Sequence, residues 1–171
     1  QAAAFTAPMW GIHIAPHIRL VATGLSLIMP RIGQGTRLPI GTQNASYVSV
    51  APFKDNMLTT DPEMYTMMRD QLAAHPELSL GGPSFIWLRE ALSETKHLAL
   101  RAAPSLPCVT FLGSNERIVQ INRIHKRMET WKGGKLQVME GAEHEILMEK
   151  PATRDAALEE ITRLFLGNVK K

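Results

Sequence analysis

The sequence holds a single cysteine, Cys108, so no disulfide can form within the chain. That usage suits a reducing, cytoplasmic setting. Net charge is small as well: 19 Lys and Arg against 16 Asp and Glu leave only +3. Nucleic-acid binders gather a basic excess into a stripe, whereas here the only dense group is His125-Lys126-Arg127, which argues against a nucleic-acid partner. Long hydrophobic runs are missing too. Ile18 to Met29 comes nearest, but it contains Arg19, Thr23, Gly24 and Ser26, and a bilayer span needs ~20 apolar residues. Gln1 to Pro8 lacks the basic start of a secretory signal. No internal repeat or low-complexity stretch occurs. What is present is a globular composition, 44% hydrophobic and 20% charged over 171 residues, in the size range of one domain. The opening Gln1-Ala2-Ala3-Ala4-Phe5-Thr6 reads as the middle of a longer chain.

Three regions differ in texture. Residues 1–8 carry a short apolar run, Ala2 to Ala7, stopped by Pro8, as expected of a buried strand. Residues 9–100 have the spacing of a helical insertion. His13 to Met29 is helical in period with Pro30 as its stop, and a Gly- and Pro-rich loop follows. Asp61-Pro62-Glu63 then offers an N-cap with proline at the first helical position. That helix carries Met64, Met67, Met68 and Leu72 on one face. Ser84 opens another, with Phe85, Trp87, Leu88 and Leu92.

Residues 101–171 change character. Leu106 to Gly113 is an apolar run bounded by Pro and Gly, the pattern of a strand covered on both faces. Gln120 to Trp131 predicts a helix ended by Gly133-Gly134, and Lys135 to Met139 a second strand. Pro151 to Leu166 predicts a helix with Ala157, Leu158, Ile161, Leu164 and Phe165 inward. Strand and helix in alternation with short links imply an α/β fold: parallel strands, flanking helices and a helical cap insertion.

Ligands in open α/β sheets gather at the carboxyl ends of strands. Two polar loops lie at such ends, Gly113 to Val119 and Glu140 to Glu145. The first holds Glu116 and the second His144, 28 residues later. A carboxylate that accepts Nδ1–H from an imidazole fixes its tautomer and stabilises the imidazolium. Either residue alone reads as an ordinary loop residue; together, at matching strand ends, they read as an acid–base pair.

These loops carry a resemblance. Gly113-Ser114-Asn115-Glu116-Arg117 resembles the Gly-Ser-x-Asp-Arg acid loop of α/β-hydrolases of the lysophospholipase and monoacylglycerol lipase group, with Glu116 in place of the aspartate. Glu140-Gly141-Ala142-Glu143-His144 resembles that group's Glu-Gly-Ala-x-His, and Thr6-Ala7-Pro8-Met9 its strand end leading into the cap. The resemblance implies the C-terminal part of an α/β-hydrolase fold: a core strand over 1–8, a cap over 9–100, and a core with the acid and histidine loops over 101–171. It also implies a carboxylic ester hydrolase in which Glu116 and His144 serve a serine, with no metal or organic cofactor.

The serine itself is not found. The motif Gly-x-Ser-x-Gly places it on a strained turn from strand to helix. Gly24-Leu25-Ser26-Leu27-Ile28 and Gly82-Pro83-Ser84-Phe85-Ile86 lack the second glycine, and Ser114 lacks both. In the group it resembles, the nucleophile precedes the strand matched by Ala2 to Ala7, so the resemblance implies a serine upstream of Gln1, on a missing N-terminal half of the same protein. The contrasting reading is a non-catalytic binding or assembly module that keeps the fold without the chemistry.

The expected substrate is a lipid or acyl ester. Trp10, Ile12 and Trp87 are the candidate substrate-binding residues, and the apolar stretch to Ile28 suits an acyl pocket, a peripheral membrane contact or an ordinary cap core. His13 and His17 have Pro16 between them and no third metal ligand; His144-Glu145-Ile146-Leu147-Met148 lacks the second histidine of a zinc-protease motif.

Overall fold

The structure is a computed structural model and describes residues Gln1 to Asn168. Its centre is β2 (Cys108–Gly113), in which every residue is buried. A run of apolar residues without alternation can be satisfied only by cover on both faces. The strands β1 (Ala3–Thr6) and β3 (Gly134–Met139) flank it, both parallel, in the order β1-β2-β3. Thr6 pairs with Phe111, and Gly113 with Met139. Both outer strands are only partly buried, as befits the two edges of the described sheet.

Successive side chains of a strand point to opposite faces, and the core divides accordingly. Cys108 and Leu112 pack with Ile124 and Met128 of helix α5 (Ile121–Glu129) and with Trp131. Val109 and Phe111 pack on the other face with Ile146 and with Ala157 of helix α6 (Pro151–Gly167). Fully burying a side chain of this kind contributes about 1.5–3 kcal/mol. Along α6, Ala157, Ile161 and Leu164 face inward as expected. Leu158 and Phe165 do not: they are 44% and 43% exposed. The covered stripe runs through Thr153, Arg154, Ala157, Glu160, Ile161 and Leu164, and these two lie just beside it.

Between β1 and β2 the described elements are helices: α1 (Pro16–Arg31), α2 (Tyr47–Val50), α3 (Pro62–Ala74) and α4 (Phe85–Leu100). Helix α1 departs from expectation at both ends. It begins at Pro16 because Gly11–His13 is held extended, bridging Ile12 to Val119, and proline suits the first helical position. It also runs through Pro30. A proline in the last turn removes little, and Ile32 N–H to Ile28 O and Gln34 N–H to Met29 O close the end. The only buried residue of α1 is Ser26; Leu20, Val21 and Ile28 face outward.

Helix α3 starts as expected, with Asp61 accepting from the amides of Glu63 and Met64. Its most buried residue is Tyr65, whose hydroxyl donates to Ala51 O at 3.0 Å, while the methionines beside it are half-buried. Ser84 caps α4 through the amide of Trp87.

Candidate active site

Parallel pairing aligns the carboxyl ends of β2 and β3, so the loops that follow them leave the sheet side by side. Their contact is unusually close at Gly113. A Cβ there would stand 2.3 Å from Glu143 O and 2.4 Å from Ala142 O, so only glycine lets the two loops touch. Ser114 N–H donates to Met139 O, Asn115 N–H to Ala142 O, and Asn115 Nδ2 to Gly141 O. Ser114 Oγ accepts from Gly141 N–H. Asn115 is thus occupied with the partner loop, and Glu116 points elsewhere.

Glu116 and His144 meet. Glu116 Oε2 lies 2.7 Å from His144 Nδ1, and the Glu116 side chain is fully buried while that of His144 is 19% exposed. The second oxygen is held independently: Oε1 accepts from the amides of Ile118 at 2.6 Å and Val119 at 3.0 Å. Each oxygen therefore has a distinct set of donors, which fixes the plane of the carboxylate. The turn that presents those amides is itself clamped by residues leaving β1, with His13 N–H on Ile118 O and Gln120 N–H on Gly11 O.

Charge follows geometry. Burial pushes the Glu116 carboxyl up most strongly, but the hydrogen bond with His144, the two backbone amides and the imidazolium charge outweigh it and hold its pKa below the ordinary range. For His144, burial pulls the pKa down, and the bond to Glu116 with the charges of Glu116 and Glu145 reverses this, leaving it raised. The arrangement favours Nδ1–H facing the carboxylate, with Nε2 left as the basic nitrogen. Among the described residues no three His, Cys, Asp or Glu side chains gather as a metal site.

The other sequence candidates are dispersed. Ile12 abuts the acid loop through its backbone bridge to Val119. Trp10 is half-buried in an aromatic cluster, stacked on Trp131 at 6.0 Å and edge-on to Phe5 at 5.4 Å, with Arg127 over its ring. Trp10 also lines a cleft of about 650 Å³ with Arg101, Arg123 and Lys126. Trp87 stands on the outer side of α4, 46% exposed. None of the three lines the cleft of about 630 Å³ beside Glu116, whose walls include Asp55, Asn56, Thr60, Arg117 and Glu143.

That cleft exposes what sequence reasoning missed. The segment Asn56–Asp61, inside the helical insertion, lies directly on the histidine loop. His144 N–H donates to Met57 O at 3.3 Å and Glu145 N–H to Leu58 O at 2.8 Å. Asn56 shapes the segment, its Oδ1 accepting from the amides of Leu58 and Thr59 and its Nδ2 donating to the carbonyls of Phe53 and Thr59. Arg117 Nη2 donates to Asn56 O at 2.8 Å and pairs with Glu143 at 3.2 Å. An asparagine bonding backbone groups two and three residues on is a turn signal readable in sequence; its docking partner is not.

Comparison with known proteins places the chain in a family. The family profile described as serine aminopeptidase, S33, matches residues 1–151. Lysophospholipase L2 of Escherichia coli (strain K12) is 33% identical over 176 residues, covering 96% of this chain and 50% of that protein. The probable lysophospholipase L2 of Haemophilus influenzae is 28% identical over 167 residues, covering 95% of this chain and 51% of that protein. The chain thus spans about half the length of the curated relatives it matches. Among solved structures, monoglyceride lipase from Saccharomyces cerevisiae superposes with a TM-score of 0.65 at 14% identity, over 97% of this chain and 55% of that one. Monoacylglycerol lipase of Paleococcus ferrophilus gives 0.67 at 14% identity, over 95% and 58%. These two share the fold: parallel strands with flanking helices, of α/β-hydrolase type. With nearly nine-tenths of its length inside the profile, the chain belongs to the serine aminopeptidase S33 family of α/β-hydrolases.

Proposed function

We propose that the protein containing this chain is a carboxylic ester hydrolase of lysophospholipase or monoacylglycerol-lipase type, with Glu116 and His144 as its acid and base. The observation that carries this reading is the 2.7 Å contact between Glu116 and His144 at adjacent strand ends, with Glu116 Oε1 already occupied by two amides. In this mechanism a serine outside the chain attacks the ester carbonyl. His144 Nε2 takes the serine proton and returns it to the leaving alkoxide. Glu116 holds Nδ1–H and stabilises the imidazolium that forms in between.

The rest of the reading follows from the same reaction. Residues 1–8 and 101–171 are core, and residues 9–100 are a cap over the acyl group. The cap includes the outward apolar face of α1, which suits a lipid substrate at a membrane surface. Trp10, Ile12 and Trp87 would contact substrate once the remainder of the protein is in place. A cytoplasmic enzyme touching the membrane peripherally fits; among the described residues no helix is long and apolar enough to cross one.

The test is His144→Ala in the full-length protein. Ester turnover is expected to fall by about 10⁴-fold or more with the fold intact, as for a triad base. Turnover within about tenfold of wild type would overturn the reading and favour a binding module. A series of monoglycerides and lysophospholipids of increasing chain length then separates the two substrate classes.

A further inference from the structure

The histidine loop is not held by its own strand alone. Glu149, just after the short 3-10 turn Ile146–Met148, is 1% exposed. Its carboxylate accepts from Glu143 N–H at 2.7 Å, from Thr60 N–H at 3.1 Å and from Thr60 Oγ1–H at 2.5 Å. No Lys or Arg pairs with it among the described residues. A buried carboxylate is expensive unless its lone pairs are satisfied, and here hydrogen-bond donors satisfy them, backbone amides from two segments and a hydroxyl. One is the residue immediately before His144. The other is 89 residues away in the sequence, in the cap.

We infer that Glu149 is a positioning residue that pins the cap segment Asn56–Asp61 to the loop carrying His144 and thereby seats the imidazole on Glu116. The inference rests on the acid–base reading above. The remaining contacts between the two segments are Thr59 Oγ1 on Met148 O at 2.6 Å and the two amide bonds to Met57 and Leu58, of which that from His144 is long at 3.3 Å. Arg117 closes the ring by joining Asn56 O to the acid loop. Acid loop, cap segment and histidine loop therefore form one hydrogen-bonded circuit, in which the Glu149 carboxylate bonds the cap segment and the histidine loop at once. Glutamine is a poor replacement: with its oxygen at the Oε1 position on the amides of Glu143 and Thr60, its NH₂ group faces Thr60 N–H and must reverse the bond with the Thr60 hydroxyl, and every charge-assisted bond is lost.

The experiment compares Glu149→Gln and Thr60→Val in the full-length protein, scored by active-site-titrated kcat and KM, thermal unfolding, and the pH profile of kcat/KM. Misplacing a reacting group by about 1 Å costs about 10²-fold, so E149Q is expected to lower kcat by about 10- to 100-fold with little change in KM. The ionisable groups facing His144 are Glu116 and Glu145, with Glu143 and Arg117 in the flanking loops. A loosened bond to Glu116 shifts the acid limb of the profile to lower pH. T60V, which removes one hydroxyl, should move both readouts the same way but less. A lower unfolding temperature with unchanged kcat per site and an unchanged acid limb overturns the inference and leaves Glu149 a stabilising strut. If E149Q does not fold, T60V decides on the same two readouts. Loss of activity in H144A beside unaltered E149Q and T60V kinetics sinks this inference alone; an active H144A sinks the acid–base reading itself.

Discussion

Replacing Glu116 by glutamine tests the acid assignment through hydrogen-bond geometry. The substitution is nearly isosteric, so a naive expectation is the loss of one charge-assisted bond, about 1.5–3 kcal/mol, or roughly 10- to 150-fold in rate at about 1.4 kcal/mol per decade. The structure demands more. Oε1 already accepts from the amides of Ile118 and Val119, and the amide oxygen of glutamine must stay there, because an NH₂ group facing two N–H donors is untenable in a buried site. The NH₂ group is then forced onto His144 Nδ1, which must accept. The imidazole proton moves to Nε2, the nitrogen that should act as base. A triad held in the wrong tautomer loses about 10⁴-fold in kcat, and that is the expected loss for E116Q. Two assays apply: steady-state ester hydrolysis by the full-length protein, and nitrogen-15 NMR of the imidazole to locate its proton. Retention of Nδ1–H in E116Q, or a loss of only about tenfold, would refute the reasoning.

Other outcomes follow from neighbouring features. Gly113→Ala should part the acid and histidine loops, since its Cβ would meet two carbonyl oxygens at 2.3 and 2.4 Å; a thermal shift and a large fall in esterase activity are expected together, and a neutral variant would discredit the close approach. Asp61→Ala removes the cap of α3 and should cost about 1 kcal/mol, read as a lowered urea midpoint. The pH dependence of stability has a defined sign. The Glu116 carboxyl is held below its ordinary 4.5, so its contribution is present above that value and is lost as pH falls through the lower folded pKa. His144 is held above 6.5, so its contribution is complete below 6.5 and is lost as pH rises through the raised folded value. The stability difference between wild type and H144A should therefore shrink as pH climbs past 6.5; a difference independent of pH would deny the ion pair.

Sequence and structure part company along lines that are physical. The meeting of Glu116 and His144 was legible because both lie in loops that follow short strands, and strand ends in a parallel sheet lie together whatever the rest of the chain does. Caps were legible for the same reason of locality: Asp61 and Ser84 bond their own next turn. Helix α1 was not. Its apolar residues left pocket, membrane contact and core open, and Ser26 is buried while Leu20 is exposed, because periodicity reports that two faces differ, not which one is covered. Leu158 and Phe165 failed similarly, each an apolar residue on the outer side of its helix. The contacts of Glu149 with Thr60 were beyond reach, since nothing local in either segment announces a partner 89 residues away.

The route of that circuit bears on how the helical insertion between β1 and β2 can change over evolution or in the laboratory. Glu116 and His144 hang from one strand–helix–strand unit; Gly11 to His13 bond the loop of Glu116, while the stretch from Asn56 to Asp61 reaches back to the loop of His144. Chain length on either side of that stretch, as in the exposed turns around Gly33 and Gly41, is free to grow or shrink and so to reshape what lies above the site. The six residues between behave as a fixed joint: an insertion there would transmit its displacement directly to His144. On the proposed function, changes of length outside Gly11–His13 and Asn56–Asp61 would reshape the substrate's surroundings without moving Glu116 or His144.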